Sequence, residues 1–164
     1  MLLDDSLRGL ELVTAFPGPI VDVGSGGGAP GIPLAHALPE REVVLLEAER
    51  RKTEFLEQVA PPNARVVRGR AEEQPSDWAG VAVAKALAQP PTAVEWCLPL
   101  IREGGAVVLW VGPSADSGRV AAVASKVAGE LVESPSGFLV VRKVGPTPDG
   151  FPRRPGMAKK RPLA

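Results

Sequence analysis

The residues best placed to do chemistry lie in one glycine-rich run, Val21-Asp22-Val23-Gly24-Ser25-Gly26-Gly27-Gly28-Ala29-Pro30-Gly31. The run follows an apolar stretch and opens onto a helical pattern. Glycines let the backbone turn tightly and let a ligand approach it closely. Beyond the C-terminal ends of parallel strands, such a turn sits where open α/β sheets bind ligands. The spacing Gly26-x-Gly28-x-x-Gly31 satisfies a dinucleotide fingerprint, a weak signal that gains weight from its place between strand and helix. Asp22 precedes the first glycine by two residues, within reach of the loop backbone or of a ligand's ammonium group. The next strand ends in Glu47, where a carboxylate can accept hydrogen bonds from both hydroxyls of an adenosine ribose. A solvent-facing glutamate at a strand end is the plainer reading; the glycine turn favours the ribose role.

The elements that must position these residues alternate along the chain. Strands are expected at 19–23, 42–47, 65–68, 81–84 and 106–111. Helices are expected at 30–38, 49–59, 91–101 and 118–131, with Pro30 and Pro33 in the first turn of the first of them, where a missing N–H costs little. Phe55, Leu56 and Val59 mark the apolar face of the second. Gly104-Gly105 reads as a stop after the third. Residues 131–133 and 138–144 form a closing hairpin through Pro135-Ser136-Gly137. Residues 1–16 read as one short helix with Leu3, Leu7 and Leu10 on one side. This alternation predicts one α/β domain over 1–164, with a mostly parallel, Rossmann-like sheet covered on both faces and an antiparallel strand at or near one edge.

Composition narrows the function. Cys97 is the only cysteine, so no disulfide framework exists within the chain. The start Met1-Leu2-Leu3-Asp4-Asp5 is acidic where a secretory signal is basic, and the apolar run 106–111 is far too short to span a bilayer. A cytoplasmic protein, a monomer with no membrane or metal partner, is the expectation. The net charge of zero is unevenly spread. Residues 142–164 hold seven basic side chains against Asp149, so this Pro- and Gly-rich tail carries +6 and the other 141 residues −6. A basic tail on an acidic body suggests a polyanionic partner, with a merely solvated tail as the equal alternative.

Nicotinamide dinucleotides and S-adenosylmethionine both suit the glycine turn. The chain leaves no second domain for a hydride acceptor. It also lacks a dehydrogenase-like acid–base pair, since its one histidine, His36, falls inside the first long helix. S-adenosylmethionine has an ammonium group for Asp22 and no pyrophosphate. These features favour it.

The run Asp22-Val23-Gly24-Ser25-Gly26-Gly27-Gly28-Ala29-Pro30-Gly31-Ile32-Pro33-Leu34-Ala35 resembles the first motif of the ribosomal small-subunit methyltransferase G family, also called glucose-inhibited division protein B. The resemblance continues through Leu45-Leu46-Glu47, Lys52, Phe55-Leu56 and Gly69-Arg70-Ala71-Glu72-Glu73. It returns at Cys97-Leu98-Pro99-Leu100 and Gly104-Gly105, and ends with Phe151-Pro152-Arg153-Arg154-Pro155-Gly156 and Lys160-Arg161-Pro162-Leu163. It implies a class I S-adenosylmethionine-dependent methyltransferase acting on guanine N7 of 16S ribosomal RNA, alone or within the small ribosomal subunit. It places Gly24 and Ala29 in the cofactor loop and Ala71 and Glu72 at the adenine end. Lys85 falls beside cofactor and target, and Arg153, Arg154, Lys160 and Arg161 form a basic tail toward RNA. The chain departs from the family pattern in carrying Ala29 for a bulkier apolar residue, Lys85 for arginine and Val111 for lysine. Its segment ahead of the first motif is also shorter. A methyltransferase with another substrate, or an inactive cofactor-binding module associated with RNA, remains open at this point.

Overall fold

The computed structural model describes residues 2–164, with side chains from Asp4 onward. Short helices α1 (Leu2–Leu7) and α2 (Leu10–Thr14) lead into β1 (Ile20–Val23) and α3 (Gly31–Ala37). Then come β2 (Val43–Glu47), α4 (Arg50–Val59), β3 (Ala64–Arg68), a 3-10 turn (Ala71–Glu73) and β4 (Ala79–Lys85). The chain continues with α5 (Pro90–Cys97), a second 3-10 turn (Leu98–Leu100), β5 (Ile101–Trp110), α6 (Ser117–Lys126), β6 (Gly129–Val132), β7 (Phe138–Lys143) and α7 (Met157–Lys160).

The strands form one sheet in the order β3-β2-β1-β4-β5-β7-β6. The first five run parallel, while β7 runs antiparallel to β5 and β6 antiparallel to β7. Their apolar residues point to both faces, as a sheet covered on both sides requires. On one face Ile20, Leu45, Val81 and Val108 pack with Leu34 of α3 and Leu56 of α4. On the other, Val21, Leu46, Ala82 and Val107 pack with Val94 of α5 and Val120 of α6. The order reverses between β1 and β4, so the chain leaves those two strands in opposite directions and opens a crevice at their C-terminal ends. The glycine-rich turn after β1 and Lys85 at the end of β4 stand at that crevice.

Several boundaries differ from the sequence pattern. The N-terminal segment is two helices, broken at Arg8-Gly9. A Cβ on Gly9 would lie 2.5 Å from the Trp110 ring, so only glycine lets this turn settle on β5. The side chain of Leu3 lies outside the described residues. The helix expected to reach Ile101 ends at Cys97, and β5 begins at Ile101 and runs through Gly104-Gly105. There the pairing with β4 shifts register between Ala79 and Val81. The helix expected to reach Leu131 ends at Lys126, because Ala128 turns with φ 57° and Gly129 opens β6. On α4 the buried residues are Thr53 and Leu56, whereas Phe55 and Val59 are exposed.

The hairpin places β7 inside the sheet and β6 at its edge. Lys143 at the end of β7 is buried. Its ammonium donates to the carbonyls of Leu98 (2.7 Å) and Ile101 (2.8 Å), to Thr147 Oγ1 (2.8 Å) and to Asp77 (3.0 Å). A buried ammonium is tolerable only when its donors are satisfied and a counter-charge is near. This cluster fixes the point where the tail leaves the sheet. From there residues 147–164 run back over α5 and α6, and Arg119 and Lys126 donate to the carbonyls of Ala164 and Leu163.

Candidate active site

A cleft of about 680 Å³ opens at the C-terminal sheet edge. Gly24, Gly26, Ala29, Glu47, Ala71, Glu72 and Lys85 all line it, brought together from β1, β2, β4 and the turn after β3. Asp22 does not line it.

Glu47 is buried and holds the glycine loop. Its Oε1 accepts the Gly26 N–H (2.9 Å) and its Oε2 accepts the Glu49 N–H (2.8 Å). Each oxygen retains a second lone pair, so the carboxylate can brace the loop and still accept from a ligand. Gly26 has φ 53°, the left-handed region that disfavours side chains. A Cβ there would meet only the Gly24 carbonyl, at 3.8 Å, and one on Gly27 would meet nothing within 4 Å. The loop therefore presents bare backbone to open space, while Glu47 supplies the acceptor beside it. That combination fits a nucleoside with a charged side arm.

Asp22 serves the loop from behind. Its Oδ2 accepts the Gly31 N–H (3.0 Å) at the start of α3, and a Cβ on residue 31 would come within 2.5 Å of that oxygen. Pro30 occupies the N-cap, so α3 starts one residue later than the pattern suggested, with Pro33 still in its first turn. Asp22 is fully buried and its Oδ1 has no hydrogen-bond partner among the described residues. Burial pushes its pKa up from 3.8 to about 7, against the stabilising Gly31 hydrogen bond. Of the two roles open to it, the structure gives Asp22 the loop backbone; its carboxylate does not reach the cleft surface. A raised carboxyl pKa means that the folded state holds the proton more tightly than the unfolded one. The stability this adds is full below pH 3.8 and is lost as pH rises to about 7. Wild type should therefore lose stability relative to Asp22→Asn across that interval, as paired thermal melts at pH 4 to 8 will show. A pH-independent difference would mean that Asp22 titrates normally.

Lys85 is half-buried and its ammonium pairs with the carboxylate of Asp5 on α1. Asp5 also takes the Arg8 guanidinium at 3.1 Å, and its pKa is lowered, first by the Lys85 hydrogen bond. The indole N–H of Trp110 donates to the Asp5 carbonyl (2.9 Å), which holds α1 over the sheet edge. Lys85 and Ala86 also line a second cleft, of about 660 Å³, bordered by Arg8, Pro90, Val111 and Arg119. The two clefts thus meet at Lys85. The role of Asp5 was not legible in the sequence, because nothing there connects it to a residue 80 positions away.

The tail brings further residues to the first cleft. Gly156 and Lys159 line it together with Trp96, and the Lys159 ammonium lies 5.4 Å from the Trp96 ring centre. The Gly156 N–H donates to Glu72 (3.1 Å). Arg154, Lys160 and Arg161 are exposed, as a cationic contact surface requires. Arg153 is not free. Its Nε and Nη2 donate to both oxygens of Glu95 on α5 (2.7 and 2.6 Å), and Nη2 also reaches the Arg161 carbonyl. Expected to contact RNA phosphate, Arg153 is engaged in this structure in an internal, two-pronged ion pair. His36 is exposed on α3 and lines neither cleft. Among the described residues no group of His, Cys, Asp and Glu could hold a metal ion, and no helix is long and apolar enough to cross a membrane.

The family rRNA small subunit methyltransferase G matches residues 1–130. The chain belongs to this family. A ribosomal RNA small subunit methyltransferase G from Synechococcus sp. (strain JA-3-3Ab) is 35% identical over 97% of the chain and 72% of its own length. That of Thermotoga neapolitana is 37% identical over 89% of the chain and 72% of its length. Among solved structures, a Thermus thermophilus 16S rRNA N2 G1207 methyltransferase in complex with AdoMet and guanosine superposes with TM-score 0.64 at 16% identity. It covers 90% of the chain, which spans 40% of that structure. A SAM-dependent O-methyltransferase from Thermotoga maritima gives 0.66 at 15% identity, covering 89% of the chain and 67% of the structure. At such identities these likenesses show the fold, which is that of class I S-adenosylmethionine-dependent methyltransferases.

Proposed function

We propose that this family member transfers a methyl group from S-adenosylmethionine to N7 of a guanine in 16S ribosomal RNA. The observation that carries the reading is the cleft itself. In a chain of this family, it gathers the bare glycine loop, Glu47, the Ala71-Glu72 turn and Lys85 around one space. Glu47 would hold the ribose hydroxyls and the Ala71-Glu72 turn the adenine end. The Gly24 to Gly27 backbone would seat the sulfonium arm. When bound, S-adenosylmethionine supplies an electrophilic methyl group.

Guanine N7 has an in-plane lone pair and no proton to lose, so the chain need supply no general base. Its task is orientation, holding nucleophile and electrophile in line. The second cleft meets the first at Lys85, so a base entering it would approach the methyl group there. The Lys85 ammonium would hold the acceptor nucleotide as a point charge. Exposed cations on the tail would grip phosphates without reading sequence.

The test is methyl transfer from labelled cofactor to 30S subunits, naked 16S RNA and a panel of metabolites, with nucleoside digestion to locate the label. Label in 7-methylguanosine from the RNA is the expected result. Label in another nucleoside or only in a metabolite would overturn the assignment. Replacing Arg154, Lys160 and Arg161 together by alanine should weaken RNA binding and flatten its salt dependence. Each lost phosphate contact lowers the slope of log K against log salt by roughly 0.7–0.9. Equal slopes for variant and wild type would show the tail to be merely solvated.

A further inference from the structure

The tail does more than present charge. Arg153 puts a charged fork on Glu95, a carboxylate that is only 5% exposed on α5. Two parallel N–H···O bonds to one carboxylate fix direction as well as distance. Three residues later the Gly156 N–H meets Glu72, and six residues later Lys159 stands over Trp96. Glu72, Trp96, Gly156 and Lys159 all line the first cleft. The far end of the tail is tied down separately, by Arg119 and Lys126 on the carbonyls of Ala164 and Leu163. The segment is thus a strap fastened on both sides of the cleft-lining stretch.

We infer that residues 153–161 form the outer wall of the cofactor cleft, seated by the Arg153–Glu95 fork. Arg153 is then a positioning residue for cofactor binding and not an RNA contact. The inference rests on the cofactor reading of the cleft given above. Glu72 shows why the fork matters. Its carboxylate lines the cleft at the expected adenine end, and the strap's own backbone holds it. Unseating the strap frees Glu72 and removes Gly156 and Lys159 from the wall at once. The exposed cations Arg154, Lys160 and Arg161 ride on the same strap. RNA that grips them grips the cofactor wall, and any gain in affinity this gives one ligand must be returned to the other.

The experiment measures S-adenosylhomocysteine binding by calorimetry and, without ligand, hydrogen exchange of the 156–161 amides. Arg153→Ala should weaken binding about tenfold, roughly the 1.4 kcal/mol that a tenfold change represents, and should expose those amides. Arg153→Lys keeps the charge but loses the fork and should fall between. Arg153→Ala leaves Glu95 buried and unpaired, so the double variant Glu95→Gln/Arg153→Ala serves as the second probe. It removes the orphaned charge and should recover thermal stability but not ligand affinity. A salt slope of RNA binding lowered by one contact in Arg153→Ala, with the 156–161 amides still protected, would make Arg153 an RNA contact and overturn the assignment. Retained amide protection in Arg153→Ala would overturn the anchor, whatever happens to the ligand. Lost protection with wild-type ligand affinity in the double variant would overturn the wall. Failure of wild type itself to bind S-adenosylhomocysteine would overturn the cofactor reading, and the wall with it, while the amide result still reports on the anchor.

Discussion

Replacing Gly26 by valine abolishes binding of S-adenosylmethionine while leaving the protein folded. The backbone at Gly26 has φ 53°, which costs a residue with a Cβ roughly 1–2 kcal/mol. Its N–H is held by Glu47 at 2.9 Å, so relaxing that strain would pull the loop off the carboxylate that braces it. Around the missing Cβ the protein has only the Gly24 carbonyl, at 3.8 Å, so the new side chain meets little protein and fills cleft space. Forcing extra methyl groups into a fitted site costs a further ~1–3 kcal/mol. Together these correspond to a loss on the order of 100-fold or more in affinity. Calorimetry against S-adenosylmethionine and NAD, with circular dichroism as a folding check, reads the effect. A valine variant that bound S-adenosylmethionine as wild type does would remove the glycine loop from the cofactor site, and a wild type that bound NAD alone would overturn the choice of cofactor.

Lys85→Ala slows methyl transfer on the order of 10²-fold, the size of loss that a misplacement of about 1 Å produces in a reaction run by orientation. Lys85 stands at the end of β4 where the two clefts meet, paired with Asp5 and flanked by the α1 segment that Trp110 holds down. Its removal takes away a cation at the meeting point and leaves Asp5 with Arg8 alone. Lys85→Arg keeps the charge and adds a planar fork that can engage the Asp5 carboxylate and an acceptor oxygen together, so its rate should match or exceed wild type. Single-turnover methylation of 30S subunits by the three proteins separates chemistry from product release. Should Lys85→Ala match wild type with equal cofactor affinity, the ammonium would be a structural partner of Asp5 only. The acceptor reading of the second cleft would then lose its support.

The strand–turn–helix run around Gly24 to Gly31 was legible because its signals are local. A glycine that needs positive φ, a proline at a helix start and a carboxylate at a strand end each act within a few residues. The same holds for Glu47, which terminates β2 and reaches a loop one strand away. The antiparallel hairpin was legible from Pro135-Ser136-Gly137, and the parallel sheet from the alternation of strands and helices, whereas the order of the strands came from the structure. Helix ends were less so. Gly104-Gly105 reads as a helix stop, yet it lies within β5, at the irregularity where the register with β4 shifts and where a Cβ on Gly105 would come to 2.3 Å from the Gly80 carbonyl. Gly129 likewise begins a strand because β7 is there to pair with it.

The sequence by itself determined the fold class and carried the glycine turn and Glu47 to one sheet edge, because periodicity and turn chemistry are short-range and a parallel sheet brings its strand ends together, while Ala71, Glu72 and Lys85 were singled out by the family resemblance. The tertiary structure alone decided what each charged side chain faces. Asp22, within reach of a ligand by spacing, is buried behind the loop on the Gly31 N–H. Lys85 meets Asp5 across 80 residues. Arg153, one of a row of cations alike in sequence, is the one with its fork closed on Glu95, while Arg154 beside it faces solvent. Charge is a property of the residue, but its partner is set by which distant elements pack together. Salt also screens exposed charges beyond roughly 8–10 Å, so no pattern of spacing along the chain could have told those two arginines apart.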